Sequence, residues 1–444
     1  MNIDIIVVST ERYRRGHELN FVPPITGLHL AALTPPQHNV RVIHQQVEAI
    51  DFTTDANLIA LSFFTGFAPE AFRIARLFKE RGKTVVGGGP HLTFTLNPDP
   101  EGYFDAIVRG EAESVWSRLL DDFERGILQK VYQGISSSLD DLPTPRYDLL
   151  SPRFFVQRVV QATRGCPFSC TFCSVPRYHP GFRMRPVESV LRDIAYESFP
   201  RWWQRKMVWF WDDNLTAHRP WAKELMRAMI PFRRWWLTQA SLDIADDSEL
   251  LGLMRDSGCI GVFFGIESFS ATSLHAAGKS QNRSSDYYRR VKALHDHGIC
   301  VMAGLISGLD GDTPRSIAQM ASQLDGIEID VPFLSILTPY HGTPLYEKFE
   351  AEGRLLPERG YEHFNGYNVA FRPHLMTPAQ LLEAHRRLWS KAFSLPATMR
   401  RLRRAATRLR PGAFLLSALM NGFYSFKAMT GNLPKSFPVN SASV

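Results

Sequence analysis

The chain has 444 residues, enough for two or three domains. Its 44% hydrophobic and 21% charged residues exclude a low-complexity or disordered protein. Lys and Arg number 51 against 44 Asp and Glu, and the resulting +7 is too small an excess to argue for nucleic acid. Five cysteines, three of them clustered, suit a reducing cytoplasmic setting rather than a disulfide framework. The start, Met1-Asn2-Ile3-Asp4, lacks the basic region of a signal peptide. No apolar run reaches the ~20 residues that a membrane-spanning helix needs.

The first 125 residues alternate strand and helix signals. Ile5–Ser9 is a continuous apolar run, as in a buried parallel strand. A helix is expected near Thr26–Leu33, then strands at Val40–Ile43 and Leu58–Phe63. A longer helix covers Pro69–Arg81, with Gly82 as its stop. Thr84-Val85-Val86 runs into Gly87-Gly88-Gly89-Pro90-His91, and Ala106–Glu111 precedes a helix at Ala112–Arg125. The pattern predicts an open, doubly wound sheet whose ligand lies beyond the carboxyl ends of the strands. Three glycines in a strand-to-helix turn suit close approach of backbone to a ligand, or simply a tight turn.

Residues 139–157 are acidic and punctuated by Pro143 and Pro145, and read as a linker. A short strand-like run, Arg158–Thr163, then enters Arg164-Gly165-Cys166-Pro167-Phe168-Ser169-Cys170-Thr171-Phe172-Cys173. Thiolates this closely spaced let one loop wrap an iron–sulfur cluster. A structural zinc or an electron-transfer cluster takes four protein ligands; three leave one iron open. The rival reading, three cysteines on one helical face, conflicts with Gly165 and Pro167, which break a helix here.

Strand–helix units then repeat. Strands are expected at Met207–Trp211, Trp235–Gln239, Ile260–Ile266, Ile299–Ile306 and Phe333–Leu337. Helices fall at Val187–Phe199, Trp221–Ile230, Asp246–Asp256, Asp286–His297 and Pro314–Leu324. With the first, these make six units, and a rolled parallel sheet places its chemistry at the strands' carboxyl ends. Polar residues stand there: Asp212-Asp213-Asn214, Gln239, Ser241, Glu267 and the segment Gly304–Gly308. Singly each is as well explained as a cap or turn; in this order they favour a site.

Cys166-x3-Cys170-x-Phe172-Cys173 resembles the signature of radical S-adenosylmethionine (SAM) enzymes. The resemblance implies a 4Fe–4S cluster on Cys166, Cys170 and Cys173, whose open iron chelates SAM and whose electron cleaves it to a 5′-deoxyadenosyl radical. It implies SAM contacts from Phe172, Asp212, Asp213, Asn214, Gln239, Ser241, Glu267, Gly304, Ile306 and Gly308. A doubly wound domain carrying Gly87–His91 and Arg109-Gly110-Glu111, placed before the cysteines, is similar to the cobalamin-binding subfamily. Cobalamin contacts are then expected at Ser62, Gly87, Gly88, Gly89, Gly110 and Glu111. The motif Asp-x-His-x-x-Gly, which supplies a histidine to cobalt, is missing. His29 and His91 are the two candidates left for that role, each also explained as a helix-surface or turn histidine.

The implied α/β architecture is a Rossmann-like cobalamin-binding domain at 1–138, a linker at 139–157, a partial (β/α)6 radical SAM barrel at 158–348, and a mainly helical region at 349–444. The implied activity is methylation of an unactivated carbon of a lipid or natural product, with methylcobalamin as donor. Ring formation or contraction is an enzymatic alternative, and a cluster or cobalamin sensor a non-enzymatic one. An electron donor is required: a reductase, a flavodoxin or a ferredoxin. A methylthiotransferase would need a second cysteine triplet, which the sequence lacks.

The last 90 or so residues read differently. Helices are expected at Glu350–Leu356 and Pro378–Ala392, followed by six arginines between Arg400 and Arg410 and an apolar run from Ala413 to Met420. Leu337-Thr338-Pro339-Tyr340-His341 and this tail resemble the branch holding hopanoid-lipid methylases, with His341 in place of a proline. Two readings stand for the tail: a peripheral contact with an anionic membrane surface on the inner face, or a helix docked on the barrel. Cys259 and Cys300, at the starts of strands, are expected to be buried thiols.

Overall fold

A computed structural model describes residues 1–10 and 22–430. The chain divides into two compact units, Met1–Cys166 with Ser174–Trp211, and Pro167–Cys173 with Asp212 onward.

The first unit is built on β1 (Asn2–Val7), β2 (Asn39–His44), β3 (Leu58–Ser62), β4 (Thr84–Gly88), β5 (Ala106–Arg109) and β6 (Val131–Gln133). All are parallel, in the order β2-β1-β3-β4-β5-β6. Ile5 pairs with Val42 on one side and Ala60 on the other, so the apolar runs seen in the sequence stack across the sheet. The order reverses between β1 and β3, where open sheets of this kind leave a crevice. Helix α1 (Thr26–Leu33) lies close on the strands because Gly27 has no side chain; a Cβ there would stand 2.8 Å from Val42 Cγ1. Helix α2 (Ala68–Lys79) buries Ala71, Ile74, Ala75 and Phe78 on one face, the spacing of an amphipathic helix. Two helices follow, α3 (Pro90–Phe94) and α4 (Trp116–Glu124).

Residues 139–157 are not a solvated linker. Leu142, Tyr147, Leu150 and Phe154 are buried, and the last three join the core of the first unit together with Phe199. The Tyr147 hydroxyl donates to the Val159 carbonyl at 2.7 Å. The acidic residues and prolines that suggested exposure alternate with these apolar side chains. The same unit continues through β7 (Val159–Val160), β8 (Thr163–Arg164), α5 (Val175–Tyr178), β9 (Arg183–Met184), α6 (Val187–Ala195), α7 (Trp202–Lys206) and β10 (Met207–Phe210). β8 pairs antiparallel with β9, and β10 runs parallel to β7.

The second unit alternates α8 (Arg219–Met229), β11 (Trp235–Ala240), α9 (Ser248–Ser257), β12 (Cys259–Glu267), α10 (Ala271–Ala276), α11 (Tyr287–Asp296), β13 (Cys300–Ser307), α12 (Pro314–Gly326) and β14 (Val331–Ile336). β11 to β14 are neighbours in chain order and parallel. Every residue of β13 is buried, which is why it reads as one apolar run. Cys259 and Cys300 are buried as expected, and burial pushes both thiols up, Cys259 to about 12.

Among the described residues the tail has four α-helices: α13 (Pro344–Ala351), α14 (Pro378–Ala392), α15 (Leu395–Arg408) and α16 (Pro411–Met429). The helix expected at Glu350–Leu356 starts earlier, capped by Thr343, and ends before Gly353; Leu355 instead bridges to Phe371. The arginine run is docked. Arg400 and Arg404 pair with Asp325 at 2.7 and 3.0 Å, and Arg408 pairs with Glu328. Arg401 donates to Asn421 at 2.9 Å, and Arg410 to the carbonyl of Arg255 at 2.6 Å. Leu416 occupies the space left by Gly261 on β12. Among the described residues no helix is long and apolar enough to cross a membrane. Leu415, Leu419, Phe426 and Met429 of α16 remain exposed.

Candidate functional site

The cysteine loop is entered through Gly165, at φ +85°, where a Cβ would collide with the Gly181 carbonyl. A side chain here would therefore force the strand away from its neighbour. Beyond it, the Thr171 N–H donates to the Ala277 carbonyl at 3.0 Å, and the Thr171 carbonyl accepts from the Leu345 N–H at 2.9 Å. The loop is thus clamped from both sides. The Cys173 N–H closes a turn onto the Cys170 carbonyl at 3.1 Å. Cys170 is buried, Cys166 and Cys173 half-buried, and no disulfide joins any of the five cysteines. Among the described residues no three His, Cys, Asp or Glu side chains converge as they would around a single metal ion. A cluster whose irons take one thiolate each does not require that convergence. Three thiols on one short clamped loop are the donor chemistry of a 4Fe–4S cluster with an open iron.

A residue that sequence reasoning missed stands beside this loop. Lys279 Nζ lies 2.9 Å from Glu267 Oε1 and 6.0 Å from the centre of the Phe172 ring. Burial works against its charge, but Glu267 and the Cys170 thiolate outweigh burial and raise its pKa. Its only sequence signal is a cation just after the glycine that ends α10. Glu267 itself adopts φ +66°, a left-handed conformation that is uncommon outside glycine.

Several expected SAM contacts come together. Asp212 and Asn214 are buried at the end of the chain leading from β10, and Asp213 is half-buried. Asn214 Nδ2 donates to Ser241 Oγ at 2.9 Å, and the Ser241 N–H donates back to Asn214 Oδ1 at 3.3 Å. The Gln239 side chain is exposed, while its carbonyl accepts from the Leu215 N–H at 3.2 Å. Other positions have packing roles. The volume a side chain would need at Gly304 is held by the Phe263 ring, 2.8 Å from an added Cβ. Ile306 is buried, and the Gly308 N–H donates to Asp312 Oδ2 at 2.9 Å. Burial raises the Asp312 carboxyl to about 6, although the Gly308 and Leu309 amides oppose the shift.

In the first unit, Ser62, Gly88 and Gly110 stand at the carboxyl ends of the adjacent strands β3, β4 and β5. Gly89 has φ +108°, and a Cβ there would lie 2.5 Å from the Phe63 carbonyl. Gly87 faces inward; a Cβ would meet Leu92 at 2.6 Å and Phe104 at 2.8 Å, so its small size serves packing. Glu111, expected to contact cobalamin, is committed elsewhere. Its carboxylate accepts from Arg164 at 3.0 Å, from Arg183 at 3.1 Å and from His179 Nδ1 at 2.6 Å. Burial favours its neutral form, but the bonds from His179 and Arg183 and the charge of Arg164 win and hold it near a pKa of about 2. His29 and His91 are buried rather than on a helix surface or an open turn, and burial drives His29 well below its usual range.

Residues 160–324 match the family model of the radical SAM superfamily. This segment is a radical SAM domain. Residues 343–429 match a domain of unknown function, DUF4070, so the radical SAM domain is followed by a recurring helical region. The chain is 29% identical to a bacteriochlorophyllide d C-12(1)-methyltransferase of Chlorobaculum tepidum, over 78% of this chain and 76% of that one. It is 26% identical to a hopanoid C-2 methylase of Rhodopseudomonas palustris, over 88% and 76%. Its fold is similar to that of OxsB, a cobalamin-dependent SAM radical enzyme solved with aqua-cobalamin and SAM bound. The TM-score is 0.71 at 16% identity, covering 96% of this chain and 72% of the other.

Proposed function

We propose that this radical SAM enzyme methylates an unactivated carbon of a lipid or pigment-like natural product, using cobalamin. The observation that carries the reading is the cysteine loop, fixed by Ala277 and Leu345 with three thiols on its turn. The relatives support the reaction class, since one methylates a bacteriochlorophyllide and another a hopanoid. When bound, the cluster with SAM supplies hydrogen abstraction and the corrinoid supplies the methyl group.

The chain's own residues bind and orient. Cys166, Cys170 and Cys173 hold the cluster. Asp212, Asp213 and Asn214 suit the SAM ammonium, because a carboxylate is the natural acceptor for that cation. Gln239 and Ser241, Glu267, Phe172 and the segment Gly304–Gly308 at the end of β13 form the remaining SAM wall. Ser62, Gly88, Gly89 and Gly110 offer corrinoid contacts at their strand ends, while His29 and His91 are buried. In functional terms, residues 1–138 form the cobalamin-binding domain and 158–348 a partial (β/α)6 barrel. Electrons come from a reductase, flavodoxin or ferredoxin. Peripheral contact with the inner membrane face rests on the exposed apolar side chains of α16, because Arg400, Arg401, Arg404, Arg408 and Arg410 are engaged within the protein.

The test is anaerobic reconstitution with iron, sulfide and hydroxocobalamin, then incubation with methyl-labelled SAM, a reductant, and hopanoid or chlorophyllide acceptors. The expected result is 5′-deoxyadenosine together with a product heavier by one CH2. Replacing Cys166, Cys170 and Cys173 by Ala removes cluster absorbance and 5′-deoxyadenosine; replacing Cys259 and Cys300 removes neither. A full complement of cluster iron in the triple variant overturns the reading. Cleavage of SAM without corrinoid binding overturns the methylation half of it.

A further inference from the structure

The backbone around Lys279 is built against the cysteine loop. A Cβ on Gly278, at φ +66°, would lie 3.3 Å from the Ser169 carbonyl and 3.7 Å from Cys170 Cα. Ala277 accepts the Thr171 N–H, so Ala277 to Lys279 run along the loop itself. The Lys279 and Glu267 side chains are only 14% and 10% exposed. Gly265 makes room for both: a Cβ there would stand 2.9 Å from Lys279 Nζ and collide with the Glu267 carboxylate. Glu267 holds its left-handed backbone because Asn282 Nδ2 donates to the carbonyls of Gly265 at 2.8 Å and Ile266 at 3.1 Å. The Tyr287 hydroxyl donates to Ile266 as well, at 3.2 Å. A strained non-glycine residue, a glycine that leaves room for both side chains and a buried ion pair thus meet at one point. Strain of this kind persists only where surrounding structure enforces it. A buried pair is also weak evidence for stability alone, since desolvation offsets its attraction.

We infer that Lys279, counterbalanced by Glu267, sets the charge felt by the cluster on Cys170 and Cys173 and so tunes its reduction potential. The inference rests on the cluster reading above. Reduction adds negative charge to the cluster, and a fixed ammonium in a low-dielectric setting favours the reduced form. A nearby carboxylate does the opposite. Lys279 is a positioning and electrostatic residue here; it transfers no atom.

The experiment is a redox titration of the reconstituted full-length protein without SAM, followed by electron paramagnetic resonance, for wild type, Lys279→Met, Lys279→Arg and Glu267→Gln. Lys279→Met is expected to move the potential negative and Glu267→Gln positive, each by at least tenfold in the reduction equilibrium, about 59 mV for one electron. Lys279→Arg keeps the charge and stays near wild type. A merely structural role would not give shifts of opposite sign. If both variants match wild type, or both shift in one direction, the inference is overturned. If Lys279→Met fails to take up iron, Glu267→Gln decides alone: a positive shift supports the inference and any other result overturns it. A wild-type protein with no cluster would overturn the cluster reading beneath, a separate and visible failure.

Discussion

Replacing Glu111 with Gln keeps the side chain's shape and removes its charge. The carboxyl is held from 4.5 down to about 2 by His179, Arg183 and Arg164, against the cost of burial. A shift of that size corresponds to about 3 kcal/mol of folded-state stabilisation at neutral pH. Glu113 still pairs with Arg164 and the Ser137 carbonyl still accepts from Arg183, which keeps the loss at the lower end of that for a broken buried pair. Because the folded pKa is depressed, the contribution is complete above about 4.5 and lost as pH falls toward 2. By about pH 4 some 0.8 kcal/mol of it has gone, since the unfolded carboxyl is then largely protonated. Native-state amide exchange in β4 and β5 reads the opening energy locally. Glu111→Gln is expected to open about 3 kcal/mol more easily at pH 7, with the gap from wild type narrowing at about pH 4. Equal protection at pH 7, or a gap that widens on acidification, would refute the account.

Gly89→Ala places a methyl group 2.5 Å from the Phe63 carbonyl at φ +108°. It should cost on the order of 1–3 kcal/mol and abolish corrinoid uptake, read by thermal melting and by corrinoid absorbance after gel filtration. His385 is buried between Ser307 and Trp389, and burial lowers it to about 3. Its folded pKa is depressed, so the unfolded chain takes up the proton first and wild-type stability rises with pH from about 3 to 6.5. His385→Gln should flatten that part of a melting-temperature profile; an unchanged slope would count against a neutral buried imidazole. Truncation after Ala397 should unfold or aggregate the protein, because it removes Arg401, Arg404, Arg410 and Leu416 from their partners. The triple change Leu415→Ser, Leu419→Ser and Phe426→Ser should leave melting unchanged and weaken co-sedimentation with anionic liposomes; undiminished sedimentation would end the membrane proposal.

The strands were legible because a parallel strand buried on both faces must be apolar throughout. β13 shows the extreme case, with no exposed residue from Cys300 to Ser307. Helix starts were legible where chemistry marks them, as at Thr313 and Thr377, whose side chains accept from the amide three residues on. The segment 139–157 was misread because its charges, at Asp140, Asp141, Arg146 and Asp148, lie on the surface side of a strap whose Tyr147, Leu150 and Phe154 enter the core. Local composition records both faces at once and cannot say which one matters. The arginine run posed the same difficulty. Its positive charge is plain in the sequence, whereas Asp325 and Glu328, which neutralise much of it, lie some 75 to 80 residues earlier.

The cysteine motif was legible because its meaning lies in spacing along one loop, which the sequence displays directly. Glu111 was not, because its meaning depends on partners 53, 68 and 72 residues away. Beside Gly110 at a strand end it has the position of a ligand contact, and only the tertiary fold shows its acceptor sites occupied by Arg164, Arg183 and His179. An ionised carboxylate offers about four lone-pair sites, and these donors, with Ser136 Oγ at 3.3 Å, occupy that capacity. Its role therefore moves from the ligand to the chain. Arg164 lies two residues before Cys166, so Glu111 anchors the strand that delivers the first cysteine. In the proposed reading, corrinoid contacts in this unit then fall to Ser62 and to the glycine backbone at the ends of β4 and β5. That division explains why the glycines there are held by geometry, Gly89 against Phe63 and Gly110 against the Gly134 carbonyl, while the acid beside them is held by charge.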